Sequence, residues 1–274
     1  DGQYWSTYDL PPPPSGRVWQ YGWHLYQVVF GNGYFVGQTK VELSDTFLYS
    51  HSYTSFDGTN WQNGSFPSFS YGEGASAYAG GFFFGVFGST LYTSPDGQTM
   101  TAATPPVVGI DGCCLAYGKE RYSLFGPVGK FWISTNGTAW TAAYGGDRSF
   151  IRQVIRGNSQ YVAVGDRIMN SADGTSFSTV PDSPSLELPY GYYPGRYGGI
   201  DYDGTNYVVV LGGVWTSTNG TFWASRNSNV NQLLAGVCRG DSRWVAVGDN
   251  GAIITSPSGL AWTLRTSGTA NHLA

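Results

Sequence analysis

SFDGTNW at 55–61, SPDGQTM at 94–100, STNGTAW at 134–140, SADGTSF at 171–177, STNGTFW at 217–223 and SPSGLAW at 256–262 are one phrase written six times. DGQYW at 1–5 matches the tail of a seventh copy. Anchored on the residue before each glycine, the copies fall at 1, 57, 96, 136, 173, 219 and 258, in steps of 56, 39, 40, 37, 46 and 39. A near-constant step of this size marks a repeat architecture. Asp or Asn before Gly is the strongest short hairpin signal, because such turns need positive φ. The Ser two residues earlier and the Asx side chain can both bond the turn backbone.

Working outward from the phrase, three strand-like runs precede each copy. The run before the turn reads TLYTS (90–94), KFWIS (130–134), GVWTS (213–217) or AIITS (252–256). Before it come runs such as YFVG (34–37), FFFG (82–85), QYVAVG (160–165) and RWVAVG (243–248), and before those YQVVFG (26–31), RQVIRG (152–157) and AGVCRG (235–240). Each is short, rich in β-branched and aromatic residues, and bounded by Gly, Asn or Asp, the signature of strands. No window shows sustained helical periodicity. Three strands, a turn and a fourth strand opening with Trp or Phe make a four-stranded antiparallel blade. Strands buried on both faces explain VVVL and FFF, where alternation is absent.

The whole chain, 1–274, therefore reads as a single all-β domain, a β-propeller of six complete blades plus an incomplete seventh. The seventh would combine DGQYW at the start with TANHLA at 269–274, which matches WHLYQ at 23–27 and NQLLAG at 231–236. Trp61, Trp140, Trp223 and Trp262 are expected to be buried as the aromatic layer of the blades.

The phrase S-x-[DN]-G-x-x-[WF] resembles the Asp-box, or BNR repeat, of sialidases and related propellers, with one residue fewer between Asp and Gly. It is similar to the compact repeats of bacterial secreted BNR-like and photosystem-assembly-type propellers. The resemblance implies a structural turn on the blade periphery and no catalysis by the phrase itself.

Composition narrows the function. The chain has 274 residues, 40 glycines, 41% hydrophobic and 16% aromatic residues, only 12% charged residues, and a net charge of −4. That is enough apolar material for a core, and no basic footprint for nucleic acid or an anionic membrane. The most apolar stretch, 78–88, is too short and glycine-rich to span a bilayer. The chain opens at Asp1 without a signal peptide or Met, which reads as a processed or trimmed product. The expected location is secreted, cell-surface or periplasmic.

Insertions break the repeat at 9–19, 38–53 and 180–199, and loops of this kind are where a propeller carries function. Tyr190, Tyr192, Tyr193, Arg196 and Tyr197 in the last of them offer flat rings and a planar donor fork suited to sugars. Trp5, Tyr8, Trp19, Tyr21 and Trp23 add rings near the start. Asp201 and Asp203 read as lying on an inner strand, with Arg152 and Arg156 on that of the previous blade. They are candidates for a charged ligand-binding cluster or a structural ion-pair group, since buried charges need partners. Of three histidines, His24 and His272 share a repeat position and read as structural, while His51, near Asp45, is the better candidate for acid–base work. Cys113 and Cys114 are either free or a vicinal disulfide, and Cys238 stands alone. Asn63, Asn136 and Asn219 open formal glycosylation sequons, two of which are the turn phrase itself.

No catalytic motif, metal-ligand spacing or cofactor fingerprint occurs, so no cofactor and no metal are expected, and turnover stays open. The first reading is a secreted, non-catalytic, lectin-like propeller binding a glycan or similar small polar ligand. The alternatives are a small glycan-active hydrolase or lyase using Arg152, Asp201, Tyr202 and Asp203 at the central channel, and a protein–protein assembly platform. Pockets walled by rings favour the first. An open pocket holding a carboxylate or Tyr/His pair favours the second, and an exposed apolar or basic patch the third.

Overall fold

The computed structural model describes residues 10–11, 23–42, 48–64, 69–70, 75–87, 90–103, 114–118, 121–126, 130–144, 151–157, 160–185 and 198–273. The aromatic insertion residues Tyr190, Tyr192, Tyr193, Arg196 and Tyr197, along with Trp5, Tyr8, Trp19, Tyr21, Asp45 and Cys113, lie outside them.

The described residues form six consecutive antiparallel sheets, each with its strands hydrogen-bonded in chain order. The first contains β1 (Trp23–Gly31), β2 (Tyr34–Glu42), β3 (Leu48–Ser55) and β4 (Gln62–Asn63), with β5 (Phe69–Ser70) also on β3. The second contains β6 (Ala75–Ala79), β7 (Phe82–Phe87), β8 (Thr90–Ser94) and β9 (Thr101–Ala103). The third contains β10 (Cys114–Gly118), β11 (Arg121–Phe125), β12 (Lys130–Ser134) and β13 (Thr141–Tyr144). The fourth contains β14 (Ile151–Arg156), β15 (Tyr161–Gly165), β16 (Ile168–Ser171) and β17 (Ser178–Thr179). The fifth contains β18 (Gly199–Tyr202), β19 (Tyr207–Val210), β20 (Val214–Ser217) and β21 (Ala224–Arg226). The sixth contains β22 (Leu234–Arg239), β23 (Trp244–Gly248), β24 (Ile253–Ser256) and β25 (Thr263–Arg265). These are the four-stranded blades of a β-propeller. Among the described residues there are six such sheets and no α-helix. At the C-terminal end, Gly251 N–H donates to Asn271 O at 2.7 Å and Leu273 N–H to Gly248 O at 3.0 Å, so the tail lies against the sixth blade.

The chain divides into two compact units. The first comprises Thr7–Pro127 and Trp132–Ala142. Its core gathers Phe84, Leu91, Tyr122, Leu124, Trp132 and Trp140. The second comprises Asp1–Ser6, Val128–Phe131 and Ala143–Ala274. Its cores centre on Val162, Val164, Ile200 and Val209 and on Val208, Val237, Trp244 and Ile254. As expected, the second strands of the fourth and fifth blades are buried on both faces: every residue of Tyr161–Gly165 and of Tyr207–Val210 is buried.

The repeated phrase is a longer loop than a two-residue hairpin turn. Ser55 Oγ donates to Asp57 Oδ1 at 3.1 Å and accepts from Gly58 N–H at 2.9 Å, while Asp57 Oδ1 accepts from Thr59 and Asn60 N–H at 2.8 and 2.7 Å. Asn136 and Asn219 play the same part in their copies. Only the glycine takes positive φ, between 71° and 78° at Gly58, Gly97, Gly137, Gly174, Gly220 and Gly259. The aromatic residue ends this loop instead of opening the fourth strand, and in three of the copies its indole N–H is spent on the turn. Trp61, Trp140 and Trp262 donate from Nε1 to Gly58, Gly137 and Gly259 O at 3.1, 3.1 and 3.0 Å. Burial of the tryptophans is uneven: Trp140 and Trp262 are buried, whereas Trp61 and Trp223 are half-buried, a correction to the uniform layer expected. The two-residue turn with positive φ at both positions occurs instead between first and second strands, at Asn32–Gly33 (φ 47° and 81°) and Gly80–Gly81 (φ 55° and 88°).

The turn carboxylates couple the fold to pH. Asp96 is held down to about 2 by the N–H of Thr99, then the Ser94 hydroxyl and the N–H of Gln98, and Asp173 to about 2 by the Thr175 hydroxyl and N–H. Asp57 is lowered further by Asn60 and Thr59. A depressed folded pKa stabilises above the ordinary value of 3.8 and is lost as pH falls through the folded one. The melting temperature should therefore fall between pH 4 and pH 2. Asp96→Asn, which keeps the acceptor as Asn136 does, should make the fall shallower; an unchanged slope in a pH series would show that this turn does not contribute.

Candidate functional site

The charged residues singled out on the inner strands all lie in the second unit. Asp201, on β18, is half-buried, and its carboxylate is committed: Oδ1 accepts from Tyr202 N–H and Oδ2 from Arg239 N–H, each at 2.7 Å. It therefore clips the first strand of the fifth blade to that of the sixth. Burial raises its pKa, with Asp203 adding to the rise, while the two N–H donors and Arg239 oppose it. Asp203, expected on the inner strand, lies just past the end of β18 and caps its own hairpin, accepting from Thr205 and Asn206 N–H at 2.9 and 2.7 Å. Arg152 is half-buried on β14, where the neighbouring Gln153 accepts from Ile200 N–H at 3.1 Å and joins the fourth blade to the fifth. Cys238, exposed beside this group, has its thiol pKa raised by its surroundings and then by Asp201. Cys238 is a free thiol.

A second arrangement escaped the reading of the sequence. In every blade a residue pair at the turn end of the first hairpin, the next-to-last in the first three blades and the last in the other three, places two side chains directly opposite each other, always five residues apart. In the first unit these are Phe30–Phe35, Tyr78–Phe83 and Tyr117–Tyr122, with ring centroids 4.6, 4.8 and 4.5 Å apart. In the second unit an arginine replaces the first ring twice: Arg156 lies 5.0 Å over Tyr161 and Arg239 5.8 Å over Trp244, with Tyr202–Tyr207 at 4.4 Å between them in chain order. Cross-strand pairs of this kind stabilise sheets, and Arg over a ring adds a cation–π term. The detectable signal was the spacing: Phe, Tyr or Arg, then Phe, Tyr or Trp five residues on.

These arginines are not saturated. Arg156 Nη1, Arg239 Nη1 and Arg243 Nε are buried atoms without a hydrogen-bond partner, as are the indole nitrogens of Trp223 and Trp244. Buried donors without acceptors are uncommon and call for an explanation. Tyr202 Oη donates to Gly204 O at 2.7 Å.

Elsewhere in the second unit, an open depression of about 490 Å³ is lined by Gln232, Asn250, Leu264, Arg265 and the segment 266–270, and carries no aromatic ring. His272 Nδ1 and Asp249 Oδ1 are 2.6 Å apart. The side chains of His24 and His51 are outside the described set. Among the described residues no three His, Cys, Asp or Glu side chains gather in a metal-holding group.

With six such blades the chain belongs structurally with the β-propellers, and solved propellers share its fold. A structure of YCF48 bound to D1 peptide aligns with a TM-score of 0.51 at 17% identity, covering 67% of this chain and 63% of that one. This chain thus spans less than two-thirds of that protein's length. YCF48 from Cyanidioschyzon merolae aligns at 0.54 with 14% identity, over 83% and 80% of the two chains. A streptogramin B lyase aligns at 0.60 with 8% identity, over 85% and 87%. At these identities the likeness is one of fold, and the neighbours differ in what they do. The sequence matches no family model and no curated protein.

Proposed function

We propose that this chain is a non-catalytic binding platform that takes an acidic peptide segment across the first-hairpin surface of its second unit. The observation that carries the reading is the pair of ring-stacked arginines, Arg156 and Arg239, each with a buried N–H lacking an acceptor. A carboxylate is the natural partner for a guanidinium fork. Binding it would supply acceptors to donors that otherwise lose hydrogen bonding on folding. The carboxylates that an enzyme reading needs are otherwise engaged, since Asp201 and Asp203 both accept backbone N–H groups. That a structural neighbour, YCF48, is seen bound to a peptide is consistent with a peptide ligand. Secretion or surface display is part of the same proposal, resting on composition alone.

Probing one labelled sample on an array of acidic and basic peptides beside a glycan array tests it. Acidic peptides should be retained. Arg239→Gln should weaken them by roughly tenfold or more, the worth of one charge-assisted hydrogen bond, and added salt should weaken them further. Retention of glycans alone, lost in Tyr192→Ala or Tyr193→Ala, would restore the lectin-like reading in its place.

A further inference from the structure

Asn is followed by Gly at 32–33, 63–64, 136–137, 219–220 and 250–251, and all five asparagines are exposed. Such a pair can react with itself. The main-chain nitrogen of a glycine has no neighbouring side chain to shield it, and it can attack the amide carbon of the Asn before it. Exposure of the Asn is common to all five, so what separates them is the freedom of the glycine nitrogen.

Four of the five nitrogens are tied. Gly64 N–H donates to Ser52 O at 2.8 Å and Gly251 N–H to Asn271 O at 2.7 Å. Gly137 N–H donates to Ser134 Oγ at 2.9 Å and Gly220 N–H to Ser217 Oγ at 2.8 Å. In these last two pairs the Asn Oδ1 is also held, by two backbone N–H groups each. Gly33 differs. Among the described residues nothing accepts from its N–H, as befits the second residue of a two-residue turn with positive φ at both positions. Gly33 is exposed, and no atom lies within 4 Å of where a Cβ would stand, so the tip has room to rotate into the geometry of attack.

We propose that Asn32 is a site of spontaneous deamidation in this chain, and that the reaction unfastens the first blade from the second at this turn. The Gly33 nitrogen gives its proton to solvent and bonds to Asn32 Cγ, and the Cγ–Nδ2 bond breaks with release of ammonia. Water then opens the cyclic imide at either carbonyl, leaving aspartate or isoaspartate. The balance is an amide and water giving a carboxylate and ammonium. The side chain that reacts is also a fastener: Asn32 Nδ2 donates to Pro95 O at 3.1 Å, from the first hairpin turn of the first blade to the turn phrase of the second. A carboxylate has no hydrogen to donate and would set one acceptor against another. Isoaspartate further adds a carbon to the main chain, inside a turn that the Gly31–Tyr34 pair closes over two residues. Gly31 is itself pressed on the Tyr78 ring of the second blade, where any Cβ would collide, so this contact too depends on where the turn sits.

Ageing the full chain in mildly alkaline buffer at body temperature, followed by peptide mapping with mass spectrometry, reads the acid formed at each of the five positions. Acid and isoaspartate should accumulate at residue 32 roughly tenfold faster, or more, than at the other four, where a hydrogen bond and the structure around it must open first. Ageing in denaturant should bring the five rates together. Asn32→Gly, which copies the Gly80–Gly81 turn of the second blade, should remove the signal at 32. Asn32→Asp stands for the aged product and should melt roughly 2–4 °C below the parent, the effect of one lost hydrogen bond in a chain of this size. If residue 32 ages no faster than the other four in the folded chain, or if the five rates stay apart in denaturant, the assignment of the site is overturned. An Asn32→Asp melt equal to that of the parent would overturn the unfastening.

Discussion

Replacing Trp140 by Ala should lower the unfolding free energy by about 3–5 kcal/mol, the range for truncating a buried large aromatic side chain. Trp140 is 7% exposed and packs in the first unit's core with Phe84, Tyr122 and Trp132. Its ring centroid is 6.5 Å from that of Tyr122. Trp61→Ala is the matched comparison. Its indole makes the same 3.1 Å hydrogen bond to the turn glycine, but its ring is half-buried. Both substitutions lose the hydrogen bond, so the difference between them isolates burial, and Trp61→Ala should cost clearly less. Denaturant unfolding of the two variants measures it. Equal losses would mean that the hydrogen bond to the turn, and not packing, is what the aromatic position contributes.

The repeat phrase made the blades readable because it is governed by local chemistry. A serine hydroxyl, an Asx oxygen and a glycine of positive φ close the loop within seven residues, so the pattern survives from copy to copy. Asp201 and Asp203 show where such reading stops. In the sequence they are two charges on an inner strand, equally suited to catalysis or to ion pairing. In the structure each is used up by backbone N–H groups, and the partner of Asp201 is Arg239 N–H, thirty-eight residues away. Nothing local announces that bond. The cross-strand pairs are an intermediate case. Their spacing of five is plainly written, yet its meaning depends on the register across the first hairpin, which only the turn geometry sets. Read as apolar runs, Phe30 and Tyr117 look like core residues. Paired across the turn, they stand on the surface, 58% and 36% exposed.

Gly248→Ala should be the costliest of the small substitutions, about 3 kcal/mol, at the upper end for overpacking. The backbone of Gly248 is extended, with φ −176°, a conformation open to any residue, so the effect is steric. An added Cβ would run into the carbonyl oxygen of Leu233 and come within 2.7 Å of the Leu234 Cα, both main-chain atoms that no rotamer change can move aside. That close approach is built into the blade. Leu234 pairs with Gly248 across a bulge in β22, and Asp249 N–H donates to Leu233 O at 2.9 Å. The fourth blade repeats the device, with Ile151 opposite Gly165 and a register shift before Gln153. This gives a physical reason for the glycine that ends the second strand in WVAVG: the bulged first strand needs room that a side chain would fill. Gly213→Ala is the control. Its Cβ would meet only the Trp215 indole nitrogen at 3.5 Å, so the change should stay within about 0.5 kcal/mol. Thermal unfolding of the pair decides the matter. If Gly248→Ala is as mild as Gly213→Ala, the first and second strands of the sixth blade can part without loss, and the repeated glycine is not a packing requirement.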